Sequence, residues 1–243
     1  MVDLHCHILP QVDDGASSLE EALDMARMAA ASGVTDIVAT SHFPGCRESL
    51  SISPLMQARW EQLSAAIAKA DIPIRLHLGA EILCMPETMM LAEEKLLPTL
   101  GDTRYVLTEF HFGMRFSEMD EILRGIADAG YTPVIAHPER YDTVQHNPME
   151  VERWFRRGYV LQMNKGSVLG AFGSRVRRTA DFLLDAGLVH IIATDAHSAQ
   201  WRTPDMRLLV DWMEDHLDPA YAHILLEENP RRLIRDRKMV PCG

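Results

Sequence analysis

The residues able to do chemistry come in short pieces scattered along most of the chain. The first is His5-Cys6-His7. Alternate side chains of an extended strand share a face, so His5 and His7 point one way and Cys6 the other. Two imidazoles about 7 Å apart along a strand can converge on one cation. The next turn carries Asp13-Asp14-Gly15. His42 then closes Ala-Thr-Ser-His, Glu81 closes Gly-Ala-Glu, and Glu109 stands in Leu-Thr-Glu-Phe. Later come Ala136-His137-Pro138-Glu139-Arg140 and Thr194-Asp195-Ala196-His197. Each piece alone could be a satisfied structural group. Their recurrence after successive apolar segments is harder to explain by packing, because uncompensated buried charge is costly. Metal ions compensate it. The set His5, His7, Asp14, His42, Glu81, Glu109, His137, Asp195 and His197 suits a multinuclear site of zinc, manganese or iron.

The elements that must position these groups are legible as apolar segments with helical stretches between them. Strands are expected at 2–5, 36–40, 74–79, 105–109, 133–136, 160–163 and 190–194. Helices are expected at 19–32, 54–70, 86–94, 117–129, 148–157, 174–186 and 204–216. Ser17 and Glu20 have capping-box spacing for the first helix, and Gly33 stands at its C′ position. Strands alternating with helices predict parallel βα units. The candidate ligands end six of the seven strands. A barrel gathers chemistry at the carboxyl ends of many strands, whereas an open sheet concentrates it at one switch point. A barrel is therefore expected. Without repeats or a Gly/Ser linker, residues 1–243 read as one domain.

Bulk composition narrows the function. A net charge of −11 argues against non-specific nucleic-acid binding, which needs a basic surface. The arginines at 153–157, 175–178 and 231–238 lie among apolar residues at helical spacing and read as solvated helix faces. No apolar run approaches the ~20 residues of a membrane span. The polar Asp3-Leu4-His5 follows the initiator at once, so no signal peptide and a cytoplasmic location are expected. Cys6, Cys46, Cys84 and Cys242 form no CxxC pair, and none is followed six positions later by Arg. The loop of a cysteine-based phosphatase is thus missing.

His5-x-His7, Asp14, His42, Glu81, Glu109, His137 and Asp195-x-His197 resemble the nine-ligand signature of the PHP (polymerase and histidinol phosphatase) superfamily. The chain is more closely similar to the bacterial manganese-dependent protein tyrosine phosphatases encoded with capsule and exopolysaccharide genes. The similarity runs the whole length and includes Val12-Asp13-Asp14-Gly15, Leu97-Pro98-Thr99-Leu100, Ala136-His137-Pro138-Glu139-Arg140-Tyr141 and Glu228-Asn229-Pro230-Arg231. It implies a distorted (β/α)7 TIM-like barrel, the PHP fold, holding three divalent ions: manganese first, with iron or zinc as alternatives. By the resemblance, His5, His7, Glu81 and Asp195 hold the first ion, and Glu81 bridges to a second completed by Glu109 and His137. Asp14, His42 and His197 hold the third. Arg140 and Arg202 hold the phosphate. Many PHP phosphatases acting on small molecules carry histidine at the positions of Asp14 and Glu109, so the carboxylates here favour the tyrosine-phosphatase branch.

Four ligand carboxylates against six metal charges leave a filled site near +2, suited to a phosphate dianion. Metal-bound water can ionise near neutral pH and attack phosphorus in line, so no protein nucleophile is required. The expected partner is a phosphotyrosyl protein, by resemblance a tyrosine kinase of polysaccharide biosynthesis. The competing readings are a phosphatase for a small phosphomonoester such as histidinol phosphate, and a catalytically silent binding module. Oligomeric state leaves no mark in the sequence. His111 and Arg115 could line the substrate mouth. His77 reads as a packed or exposed histidine, and His146, His190, His216 and His223 as surface residues.

Overall fold

The computed structural model describes residues 1–240. Among them nine short strands run β1 Val2–Cys6, β2 Asp36–Ala39, β3 His42–Pro44, β4 Arg75–Leu78, β5 Glu81–Leu83, β6 Tyr105–Glu109, β7 Thr132–Ala136, β8 Val160–Asn164 and β9 Ile191–Ala193. Every pairing between them is parallel, in two sheets ordered β1-β2-β4 and β3-β5-β6-β7-β8-β9. The expected second and third strands are each broken. β2 resumes as β3 after Thr40 and Ser41, and β4 as β5 after Gly79 and Ala80, so each passes from one sheet to the other. Gly79 is required at its break: a Cβ there would stand 2.8 Å from Val38 Cγ1 and 3.0 Å from Leu100 Cδ2.

The strand order comes round on itself. Cys6 bridges Ala196 in parallel, His7 N donates to Ala196 O at 2.8 Å, and Asp195 N donates to His5 O at 2.8 Å. The buried Asp3 carboxylate accepts from Thr194 N at 3.0 Å and Thr194 Oγ1 at 2.5 Å. This is the parallel α/β barrel arrangement, distorted at the two strand breaks.

Alternation divides the strands between two buried layers. Val2, Leu4, Val38, Tyr105, Leu107, Val134, Ala136, Val160 and Ile191 form an inner cluster with Leu233. Their neighbours Val106, Ile135, Leu161 and Ile192 pack outwards with the helices. The inner positions turn polar towards the carboxyl ends, where Glu109 follows Leu107 and Gln162 and Asn164 follow Val160 at the same parity. That polar end is where a site can form.

Helix Leu19–Ala31 begins where expected, but its cap is Ser18 rather than Ser17. The Ser18 side chain accepts from Glu21 N at 3.1 Å, while Ser17 Oγ donates to Glu21 at 2.6 Å. Gly33 follows with φ +90°, a left-handed conformation natural to glycine. Helices Ser53–Lys69, Phe116–Asp128, Ser174–Asp185 and Arg207–His216 fall near their expected places. Residues 148–157 divide into a 3₁₀ turn and a short helix. Helices Pro219–His223 and Asn229–Leu233 are additions. Among the described residues no helix is long and apolar enough to cross a membrane.

Candidate metal centre

All nine candidate ligands lie at the carboxyl end of the strands. His5 is in β1, with His7 beyond it and Asp14 in the following loop. Glu109 ends β6, His137 follows β7, and Asp195 and His197 follow β9. His42 and Glu81 do not end β2 and β4; they open β3 and β5, where they are Cα partners. The breaks at 40–41 and 79–80 therefore carry these two side chains over the barrel mouth. His137, Asp195 and Arg202 have φ of 35°, 51° and 48°. Left-handed backbone at a non-glycine residue costs on the order of 1–3 kcal/mol and is stored at functional sites.

The donor atoms converge. His5 Nε2 lies 3.2 Å from His7 Nε2, 3.1 Å from Glu81 Oε1 and 3.4 Å from Asp195 Oδ1. His7 Nε2 is 3.3 Å from Glu81 Oε2. On the far side of Glu81, His42 Nδ1 approaches Oε2 at 3.1 Å and His137 Nε2 approaches Oε1 at 3.1 Å. Glu109 reaches His137 at 3.5 Å and His42 at 3.8 Å. Asp14 Oδ1 stands 3.4 Å from His42 Nε2 and 3.5 Å from His197 Nε2. Three overlapping groups could each hold an ion: His5, His7 and Glu81; His42, Glu81 and Glu109; and His7, Asp14, His42 and His197. His5, His7, Glu81, His137, Asp195 and His197 are buried, while Asp14 is exposed and His42 half-buried.

Protonation reflects this crowding. Burial alone would push the His5 imidazole down, but Glu81 and Asp195 override it and hold the ring at about 9. His7 stands at about 10, because Asp13 and Glu81 outweigh its burial. His5, His137 and His42 hold Glu81 well below the carboxylate range despite its burial. Burial, and then the neighbouring Glu81, raise Glu109. Asp195 is lowered to about 2 against its burial, chiefly by His5. His197 falls to about 4, through burial and then the charge on His7. Protons on His5 and His7 balance the carboxylates here, and a divalent ion would displace them. Two imidazole nitrogens facing each other beside a shared carboxylate make a donor set that fits metal ions.

Several supporting residues carry no motif. Asp13 Oδ2 accepts from His7 Nδ1 at 2.8 Å and from His42 N at 2.8 Å, and its Oδ1 accepts from Gly15 N at 3.0 Å. Gln162 Oε1 lies 2.9 Å from His5 Nδ1, and Asn164 Nδ2 donates to Asp195 Oδ2 at 2.6 Å. Glu139 Oε1 in turn accepts from Asn164 N at 3.0 Å. Such partners fix ring orientation and raise ligand basicity. The adjacent acids Asp13 and Asp14 are indistinguishable as letters. The Gln162 and Asn164 amides become recognisable only once strand parity turns them inwards.

Two guanidinium groups stand at the mouth. Arg202 Nη2 pairs with Asp195 Oδ2, and Arg140 Nη1 is 3.4 Å from the same oxygen. Arg140 lies between the Phe112 and Phe172 rings, 4.6 and 4.5 Å from their centroids. Lys165, buried, donates its Nζ to Asp205 O at 2.7 Å and to Thr203 O, clamping the loop that follows Arg202. His190 and Arg115 differ from expectation, whereas His111 and His77 agree with it. His190 is buried rather than at the surface and stacks on Phe155 at 4.7 Å. Arg115 pairs with Glu118 on the surface. His111 does line a cleft beside the site. His77 packs against Asp36 at 3.0 Å.

With fold and geometry in view, relatives give the class. The family model described as "Capsular polysaccharide synthesis, CpsB/CapC" matches residues 1–235. The chain is 32% identical over 237 residues to the tyrosine-protein phosphatase YwqE of Bacillus subtilis, covering 98% of this chain and 92% of that one. It is 32% identical over 244 residues to the tyrosine-protein phosphatase CpsB of Streptococcus pneumoniae, covering 98% and 99%. A crystal structure from work on YwqE and CpsB, described as unique metal-dependent tyrosine phosphatases, superposes with a TM-score of 0.86 at 30% identity over 99% of this chain and 96% of that one. A Listeria monocytogenes lactonase shares only the fold, at a TM-score of 0.51 and 11% identity over 98% and 92%. The chain is thus a parallel α/β barrel protein with a metal-type donor set at the barrel mouth. It belongs to the CpsB/CapC family of capsular polysaccharide synthesis.

Proposed function

We propose that this chain is a metal-dependent hydrolase that removes phosphate from phosphotyrosine in proteins. In this reading three divalent ions, manganese first, are held by His5, His7, Asp14, His42, Glu81, Glu109, His137, Asp195 and His197. The observation that carries the reading is Asp195. Its Oδ1 faces His5 and His7, while its Oδ2 faces Arg140, Arg202 and Asn164. One carboxylate thus joins a metal-type donor set to two phosphate-type donors. When bound, divalent ions supply an activated water at neutral pH and neutralise charge on the phosphoryl oxygens.

The chain's own residues do the rest. Arg140 and Arg202 bind the outer phosphoryl oxygens, for which a planar bidentate donor is suited. Phe112 and Phe172 hold the Arg140 guanidinium between two rings, and Phe172 also lies 5.9 Å from that of Arg202. Asp13 and Gln162 orient His7 and His5, so their Nε2 lone pairs face the centre. The leaving phenolate has a conjugate acid near pKa ~10 and needs less protonation than an alkoxide. The relatives' names, tyrosine-protein phosphatases, and the family's description, capsular polysaccharide synthesis, support a phosphotyrosyl protein of that process as the partner, in this reading a tyrosine kinase. The cytoplasm and a single domain over residues 1–243 complete the reading.

The test compares phosphotyrosyl peptide, phosphoseryl peptide and histidinol phosphate after chelator treatment and manganese reloading. Activity on the phosphotyrosyl peptide, lost on chelation and regained with manganese, is expected. A large preference for histidinol phosphate would redirect the substrate. Absence of hydrolysis on all three would make the chain a silent binding module.

A further inference from the structure

We propose that the cleft walled by Pro44, Leu83 and Phe112 is the leaving-group subsite and that it accepts an aromatic ring. The proposal rests on the phosphatase reading above, which already gives a tyrosyl leaving group, and names the residues that would receive its ring. The cleft measures about 330 Å³ and adjoins a cavity of about 150 Å³ lined by seven of the nine candidate ligands, all but His5 and His7, together with Arg140 and Arg202. His42 and Glu109 line both, so the two spaces share a wall.

Strand register explains the arrangement. In the parallel pairing of β3 with β5, His42 faces Glu81 and Pro44 faces Leu83. Two residues along a strand is one step on the same face, about 7 Å. The apolar pair Pro44 and Leu83 therefore lies one step beyond the metal-type pair His42 and Glu81, on the same face of the same two strands. In the next pairing Leu83 faces Glu109, which extends the rung. A phosphoryl group held at His42 and Glu81 would send its ester oxygen over this rung, a distance comparable with the span of a phenoxy group. Phe112 completes the wall. Its ring is 40% exposed, 6.1 Å from the His137 ring and beneath the Arg140 guanidinium.

The chemistry of the walls selects the occupant. A short alkyl leaving group ends before the Pro44–Leu83 rung and gains nothing from it. The cleft's polar lining residues are His42, Glu109 and His111. An amine or hydroxyl set instead against the wall of Pro44, Leu83 and Phe112 loses its hydration and gains no hydrogen-bonding side chain from those three. An aromatic ring buries apolar surface against all three and can pack edge or face against Phe112.

Binding and turnover test this together, using manganese-loaded full-length protein. Calorimetry would compare phenylphosphonate with methylphosphonate, which share a head group and are not hydrolysed. Phenylphosphonate should bind about tenfold or more tightly, and Leu83→Asn should lower that ratio about tenfold. Turnover of phenyl phosphate and glycerol phosphate by the same proteins should show a matching fall in the aryl-to-alkyl ratio of kcat/KM. Equal binding of the two phosphonates to the unsubstituted protein would overturn the subsite without reference to any variant. So would a Leu83→Asn protein whose two turnover rates fell in proportion. Hydrolysis of neither ester by the unsubstituted protein would instead remove the phosphatase reading itself.

Discussion

Asp13→Asn isolates the value of a group that touches no substrate. Asp13 spends both oxygens: Oδ2 on His7 Nδ1 and His42 N, Oδ1 on Gly15 N. Asparagine has one acceptor where aspartate has two. If its oxygen stays on His7 and His42, its NH₂ faces the Gly15 N–H, donor against donor. If it flips, the NH₂ faces both His7 and His42. A buried donor left unmatched costs about 1–3 kcal/mol. The lost carboxylate charge also makes the His7 ring a weaker ligand, and changes of this kind lower metal affinity about 10- to 100-fold. That is roughly 1.4–2.8 kcal/mol, consistent with one misplaced hydrogen bond. Competition between the protein and a fluorescent chelator for manganese measures it directly. The variant should still fold and should recover activity at higher manganese. An affinity within twofold of the original, with activity nevertheless lost, would refute the orienting role.

Arg202→Lys should lower kcat/KM on a phosphotyrosyl peptide about 10- to 100-fold, because a point charge cannot reproduce the fork facing Asp195 and phosphate; steady-state kinetics reads it. His190 is buried and depressed to about 4 by desolvation, so it is neutral when folded and charges on unfolding. Its contribution is complete above 6.5 and lost as pH falls towards 4, on the order of 3 kcal/mol, so His190→Gln should flatten that acid limb in urea titrations. His5 and His7 have the opposite sign: raised to about 9 and 10, they stabilise the chelator-stripped protein fully below 6.5. That contribution fades as pH rises towards 10, so the Tm of the stripped protein should fall over this window in calorimetry.

How much of this was legible depends on what a one-dimensional pattern can carry. Apolar runs located seven strand positions, and the polar residues after them marked the mouth of the barrel. The breaks after Ala39 and Leu78 have no signature in the sequence, because two residues of interrupted pairing leave the apolar run intact. Those breaks decide that His42 and Glu81 open strands rather than end them. Gln162 and Asn164 were unreadable as site residues, since a neutral amide in a strand has meaning only through parity and register. The segment Asn164-Lys165-Gly166-Ser167 is too short of glycines for a phosphate loop. Its actual contributions are the Asn164 amide on Asp195 and the Lys165 clamp on the loop after Arg202. His190 looked like a surface residue because no local pattern reveals that Phe155 covers it and Leu161 N donates to its Nδ1 at 3.1 Å. The helices after residue 216 were missed because their short turns lack the sustained periodicity of the longer ones.

The seam where β1 meets the end of β9 sets an order of events during synthesis. His5 and His7 leave the ribosome well before Asp195 and His197, which emerge only after the barrel's other strands have been made. A nascent chain therefore carries two early histidines and several carboxylates with no closed cage for them. Contacts that join such distant positions form late and slowly. A metal ion captured by the finished cage would then act as a latch on the completed ring, making ring closure and metal loading a single cooperative event.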